Sequence, residues 1–135
     1  MNDLTTRRLL ASAVSIALAI TASAIAHAEE NDVSIVDARF TDKVESSKPV
    51  GDADAAAHAK VVTYWVEVSN VKTASEVVLV WKRDGHEVVT QHLDVGRSPR
   101  WRTWGSCPTA GAKELSVEVR DASGHVLKSD TIATK

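Results

Sequence analysis

The sequence has a single cysteine, six glycines, three prolines and one each of phenylalanine and tyrosine among its 135 residues. One cysteine cannot form an internal disulfide bond, so the fold must be stabilised by its hydrophobic core. The formal net charge is only −2, which excludes a global basic field and gives no support for a nucleic-acid partner. The chain has instead four tryptophans and a series of short valine-rich runs.

The N-terminus has the composition of an export signal. Arg7 and Arg8 precede an uncharged run over residues 9–26, and Ala26-His27-Ala28 follows it. This order of basic, apolar and small residues is typical of a signal peptide over residues 1–28, with cleavage after Ala28. We therefore predict an exported protein that is periplasmic or secreted, without a membrane span after cleavage. An uncleaved N-terminal anchor is the alternative, because the run is close to the minimum length that spans a bilayer.

Cleavage would leave 107 residues (135 minus 28), which is enough for one domain. Residues 29–60 are predicted to hold a first strand, Val33–Thr41, and a mobile connection from Asp42 to Lys60. The connection is rich in Ser, Lys, Asp, Gly and Pro, a composition that buries little apolar surface. Within it we expect at most one helical turn, at Ala55–Ala59.

Residues 61–135 contain short apolar runs separated by turn residues at intervals of about ten, which is typical of a β-sandwich or small barrel. Asp84-Gly85 is a strong signal for a tight hairpin turn. With the first strand there are about seven strands, and we predict an all-β fold, an immunoglobulin-like antiparallel β-sandwich. The predicted strands of this part are Val61–Val68, Glu76–Lys82, His86–Val95, Arg100–Trp104, Glu114–Arg120 and His125–Ile132.

Three segments of this part resemble a known bacterial family. They are Tyr64-Trp65-Val66-Glu67-Val68, Val80-Trp81-Lys82-Arg83-Asp84-Gly85 and Arg100-Trp101-Arg102-Thr103-Trp104. Their order and spacing are similar to those of the domain of unknown function 2914, over about Val61 to Ile132. The resemblance implies a small all-β module in an exported or membrane-attached bacterial protein. It implies no established activity.

One dense cluster of chemically versatile side chains stands out, namely Arg97, Arg100, Trp101, Arg102 and Trp104. Strand alternation places Arg100, Arg102 and Trp104 on one face and Trp101 on the other. In a structural interpretation, Trp101 is buried in the core and the arginines stack on Trp104. In a functional interpretation, the indoles and guanidinium groups form a platform for a sugar ring, an anionic glycan or the carboxylates of a partner.

Trp65 belongs to the same candidate face. Its strand neighbours Thr63 and Glu67 are polar, so alternation directs Trp65 toward solvent or toward a second layer. An exposed Trp65 would extend the binding platform. Alternatively, Trp65 covers the sheet beneath the connection from Asp42 to Lys60.

Catalytic and metal sites have no comparable support. No Gly-x-Ser-x-Gly elbow or phosphate-binding glycine loop occurs in the sequence. His86 and His92 share one predicted strand but lie about 20 Å apart along it, too far to bind one metal ion. We therefore predict a protein that is not an enzyme, with no catalytic residues, no metal site and no cofactor.

The sequence thus favours a non-catalytic exported binding module. We expect it to recognise an envelope polysaccharide or a protein partner through a face made of Trp65, Arg97, Arg100, Arg102 and Trp104. The alternative is a structural or assembly protein of the envelope, in which these residues only stabilise the fold. Such a protein would form oligomers through an exposed edge strand or through Cys107, which is otherwise a buried, inert thiol.

Overall fold

The computed structural model describes residues 33–135, and the predicted signal peptide lies outside the described residues. Within them the chain forms nine strands and one short helix. In chain order these are β1 (Val33–Thr41), β2 (Val44–Glu45), β3 (Lys48–Pro49), α1 (Ala53–His58), β4 (Val61–Asn70), β5 (Ser75–Arg83), β6 (His86–Val95), β7 (Ser98–Pro108), β8 (Glu114–Asp121) and β9 (Val126–Ala133).

Seven of these strands form two antiparallel sheets. One sheet has the order β1-β4-β7 and the other has the order β6-β5-β8-β9. The sheets pack face to face, which confirms the predicted all-β sandwich of seven strands. The three-plus-four arrangement is consistent with the immunoglobulin-like class.

The core lies between the two sheets and follows the alternation in the sequence. Alternate residues of β4 are fully buried, among them Tyr64, Val66 and Val68. The edge of the Phe40 ring packs on Tyr64, with 4.9 Å between ring centroids, and Phe40 lies 6.4 Å from Trp81. Burial of these side chains supplies the main driving force for folding in a domain without a disulfide bond.

A polar bridge joins the two sheets where β6 meets β7. The indole of Trp81, which is fully buried, donates to Gln91 Oε1 at 2.9 Å, and Gln91 Nε2 donates to the carbonyl of Ser106 at 2.9 Å. Gly105 leaves room for this arrangement, because a Cβ there would lie 2.2 Å from Gln91 Oε1 and 2.8 Å from Leu79 Cδ1. The sheets approach closely at this point only because residue 105 has no side chain.

The connection from Asp42 to Lys60 has more regular structure than its composition predicts. Strands β2 and β3 form a small hairpin, and α1 overlaps the expected helical turn at Ala55–Ala59, beginning and ending earlier. The base of the hairpin is tied to β1, because the Gly51 amide donates to Thr41 Oγ1 at 3.0 Å. These elements were difficult to predict from the sequence because the segment contributes few apolar side chains and is ordered mainly by contacts with the sheet.

No helix among residues 33–135 is long and apolar enough to cross a membrane.

Candidate functional site

The pairing of β4 with β7 brings most of the predicted face together. Trp65 pairs with Trp104, and Glu67 pairs with Arg102. Paired residues of antiparallel strands point to the same side of a sheet. All four side chains therefore lie on the outer side of this sheet, away from the core.

Arg100 joins this face although the strand is irregular there. The register between β4 and β7 shifts between Val68 and Asn70, yet Arg100 Nε donates to Glu67 Oε2 at 2.5 Å. The side chain of Glu67 is only 6% exposed. A carboxylate buried to this extent needs a cationic partner, and Arg100 supplies it.

Trp65 is buried rather than exposed, so it is not part of an accessible platform. The residue is only 4% exposed, and its indole nitrogen donates to the carbonyl of Ser47 in the β2–β3 turn at 2.9 Å. The guanidinium carbon of Arg39 lies 6.0 Å from the Trp65 ring centroid, on the limit of a cation–π contact. Alternation allowed Trp65 to point either to solvent or to a second layer. The structure shows the second of these, and the β2–β3 hairpin is the layer that covers Trp65.

A groove of about 390 Å³ opens between the hairpin and the outer face of β4 and β7. We call it the cationic groove, because four of its lining side chains are cations and one is a carboxylate. Its lining residues are Arg39, Lys48, Pro49, Trp65, Glu67, Arg100 and Arg102.

Arg102 has a buried hydrogen-bond donor that the described part of the chain leaves unpaired. Its Nε atom is buried and has no hydrogen-bond partner among residues 33–135. A buried donor without a partner costs about 1–3 kcal/mol unless a water molecule or a ligand accepts from it. Arg102 therefore has bonding capacity that the protein itself does not use.

Trp104 lies on the same face but is not one of the residues that line the groove. It is 40% exposed, it is paired with the buried Trp65, and it follows Arg102 by two positions. Two residues along a strand span about 7 Å. The accessible indole and the incompletely bonded guanidinium group are thus neighbours.

Arg97 and Trp101 are not part of the groove lining. Arg97 is exposed in the bend between β6 and β7. Although it was predicted to belong to the binding face, its side chain does not line the groove. Trp101 points to the core side in register with Val68, but it remains 36% exposed. Its ring packs over Gly96, where a Cβ would lie 2.5 Å from Trp101 Cζ3. The structural interpretation that placed Trp101 in the buried core was therefore wrong, because the ring lies where β7 follows the bend at Gly96.

Sequence reasoning missed three groups of the groove. Arg39 and Lys48 come from β1 and β3, and only the folded hairpin brings them beside β7. Glu67 could have been recognised from the sequence, because it is the one charged residue of β4, a strand rich in valine and aromatic residues. Such a residue is normally paired when it is buried.

A larger cleft of about 650 Å³ lies between β1, β9 and the segment that precedes α1. Its carboxylates already take part in the fold. Asp37 pairs with Arg39, Asp52 accepts from the Ala55 amide at the start of α1, and Asp130 accepts from the Tyr64 hydroxyl at 3.3 Å. We therefore place the candidate site in the cationic groove and not in this cleft.

Cys107 is fully buried. Burial raises the pKa of its thiol, and the nearby Arg83 guanidinium, 3.7 Å from the sulfur, acts in the opposite direction. A thiol that is buried and protonated is a poor nucleophile. Residues 33–135 contain no group of three or more His, Cys, Asp or Glu side chains that could hold a metal ion.

Comparison with known proteins supports the family resemblance. Residues 74–131 match the model of a family described as "Protein of unknown function (DUF2914)", which confirms the predicted resemblance over this part of the chain. The match includes Arg100, Arg102 and Trp104, whereas Arg39, Lys48, Trp65 and Glu67 lie before it. No curated protein matches the chain.

Proposed function

We propose that this protein is a non-catalytic, exported binding module of the bacterial periplasm or cell envelope. It recognises an envelope polysaccharide or a protein partner through Arg100, Arg102 and Trp104, above a floor formed by Trp65. The observation that carries this proposal is the cationic groove, in which four cationic side chains and one engaged carboxylate line an open cavity beside an accessible indole.

The scaffold of the groove suits binding. Its floor and one wall are side chains of β4 and β7, two paired strands of the sandwich. Strand pairing already fixes the backbone of these residues, so binding costs less backbone conformational entropy than it would on a flexible loop. Guanidinium groups bind carboxylates and phosphates with a fixed fork of donors, and an indole stacks on apolar faces of a ligand.

The chemistry of the lining residues favours binding over catalysis. Arginine stays protonated at all physiological pH values and therefore does not act as a general acid or base. The one carboxylate of the groove, Glu67, is held by Arg100. General acid–base catalysis often uses a free carboxylate, and the carboxylate of this groove is already engaged by Arg100.

A structural or assembly role is the second candidate, and the burial of Trp65 favours it. The bond from Trp65 to Ser47 and the pair formed by Arg100 and Glu67 both attach parts of the chain to the sheet. In this role the residues of the predicted face only stabilise the fold, and oligomers form through an edge strand. Strand β6 is an exposed edge of the four-stranded sheet.

Two substitutions separate the candidates, Arg102→Gln and Trp104→Ala. For a binding module, we expect both variants to keep a melting temperature within a few degrees of the wild type and to lose binding to purified envelope polysaccharides or to a defined partner. For a structural protein, we expect the melting temperature to fall by about 10 °C or more, with no ligand bound by either form. Arg97→Gln is the matched control, because Arg97 is exposed and outside the groove lining.

Export is tested separately. After expression of the full chain in a bacterium, cell fractionation should find the protein in the periplasm or the medium. N-terminal sequencing should begin at Glu29. A cytoplasmic protein that retains Met1 would contradict the exported part of the proposal, whatever the groove binds.

A further inference from the structure

The charge of the cationic groove is opposite to the charge of the chain as a whole. The full sequence has a formal net charge of −2, but Arg39, Lys48, Arg100 and Arg102 outnumber Glu67 in the groove lining. A concave, partly buried surface with one sign of charge concentrates ions of the opposite sign. The groove therefore attracts anions although the protein does not.

The four cations differ in how far the protein already uses them. Arg100 bonds to Glu67, and Arg39 bonds to Asp37 at the edge of β1. Arg102 has a buried Nε atom without a partner among residues 33–135. Lys48 is exposed in the hairpin on the opposite side of the groove. Arg102 and Lys48 are thus the groups best placed to bind an incoming anion from two sides.

Trp104 adds a second requirement on the chemistry of the ligand, namely a group that stacks on an exposed indole. This indole is 40% exposed and lies about 7 Å along the strand from Arg102. That spacing suits a pyranose ring stacked on the indole with an acidic substituent directed at the guanidinium group. An acidic peptide would use the cations equally well, but it would not need the flat aromatic surface next to them.

We propose that the cationic groove binds an acidic polysaccharide, with Arg102 and Lys48 holding its carboxylate or phosphate groups and Trp104 stacking on an adjacent sugar ring. This inference rests on the proposed function and names the ligand class of the same site. A neutral polysaccharide would offer Arg102 and Lys48 no anionic acceptor, and its affinity for the groove would be lower.

The test measures binding of the full-length protein by isothermal titration calorimetry. The probes are polygalacturonate, its carboxyl-reduced neutral form and dextran phosphate. We expect at least one anionic polymer to bind, the neutral polymer to bind at least about tenfold more weakly, and the affinity to fall as NaCl is raised from about 50 to 300 mM. The two anionic arms distinguish a carboxylate from a phosphate as the recognised group.

Variants then locate the site. Arg102→Gln and Lys48→Gln should each lower the affinity by about tenfold, whereas Arg97→Gln should change it by less than twofold. Trp104→Ala should weaken polysaccharide binding but leave binding to polyglutamate, a sugar-free polyanion, unchanged. A circular dichroism spectrum and a melting temperature for each variant show that the loss is not caused by unfolding.

Other outcomes would overturn one or both proposals. Equal binding of the acidic and carboxyl-reduced polymers, lost in Trp104→Ala, would refute the anionic ligand and leave the binding module intact. If polyglutamate binds more tightly than either acidic polysaccharide, the acidic-polysaccharide inference is wrong and the ligand is an acidic protein partner. If no probe binds to the folded protein, the acidic-polysaccharide inference fails. If purified envelope polysaccharides and defined partners also fail to bind, the proposed function fails with it.

Discussion

Replacing Trp65 and Trp104 individually by phenylalanine distinguishes the structural tryptophan of the outer face from the accessible one. Trp65 is 4% exposed and donates to the Ser47 carbonyl. Trp65→Phe removes this hydrogen bond, which is worth about 1 kcal/mol, and leaves a partly filled space under the hairpin, which costs about 1–2 kcal/mol more. The free energy of unfolding should therefore fall by about 2–3 kcal/mol.

Trp104→Phe should have a much smaller effect. Trp104 is 40% exposed, and substitutions at accessible positions usually change stability by about 0.5 kcal/mol or less. Urea unfolding followed by far-UV circular dichroism measures the free energy of unfolding of both variants on the same scale. In thermal unfolding, Trp65→Phe should melt roughly 10 °C below Trp104→Phe. Equal stabilities of the two variants would refute the burial of Trp65 by the hairpin.

Three further predictions concern the core and the surface charges. Gly105→Ala should destabilise the fold by about 1–3 kcal/mol, because the new Cβ would lie 2.2 Å from Gln91 Oε1; Gln91→Ala removes the bonds to Trp81 and Ser106 but should destabilise Gly105→Ala by less than it destabilises the wild type, and a fully additive double variant would contradict this cause. Cys107 should react with a thiol reagent many times more slowly in the folded than in the unfolded protein, because it is fully buried; equal rates would contradict its burial. Glu118→Gln should cost stability at neutral pH and progressively less in acid. Hydrogen bonding to Arg120 holds the pKa of Glu118 below its ordinary value, with Lys82 acting in the same direction. Its contribution is therefore present above the unfolded pKa and lost as the pH falls through the folded pKa. Urea unfolding of the wild type and of Glu118→Gln at several pH values measures this effect. A difference in the free energy of unfolding that does not change with pH would contradict it.

The strands and the core could be predicted because burial leaves a periodic record in the sequence. The alternation of Tyr64, Val66 and Val68 predicted the inner face of β4, and Val33–Thr41 was predicted with the bounds that β1 has in the structure. The turn at Asp84-Gly85 was predictable for the same local reason, since both residues adopt positive φ there.

The hairpin and its consequences could not be predicted from local patterns. Strands β2 and β3 have two residues each, too few for an alternation signal. Their position depends on contacts with distant residues, such as the bond from Trp65 to Ser47. Because the hairpin was missed, the burial of Trp65 and the contribution of Lys48 to the groove were missed with it.

Half of the candidate site could nevertheless be predicted. Alternation within one strand placed Arg100, Arg102 and Trp104 on one face, and the pair between Arg100 and Glu67 agrees with that placement. The remaining groups come from other strands, and pairing register across a sheet is not encoded in the spacing of any single strand.

The most direct test of the binding proposal is a nuclear magnetic resonance titration that follows the four tryptophan indole N–H signals, assigned with Trp→Phe variants. On addition of polygalacturonate to the full-length protein, the account predicts a saturable shift of the Trp104 signal and no shift for Trp81, which is buried in the core. The absence of any saturable shift at Trp104 under conditions where the polymer binds would contradict the proposal that this face is the binding site.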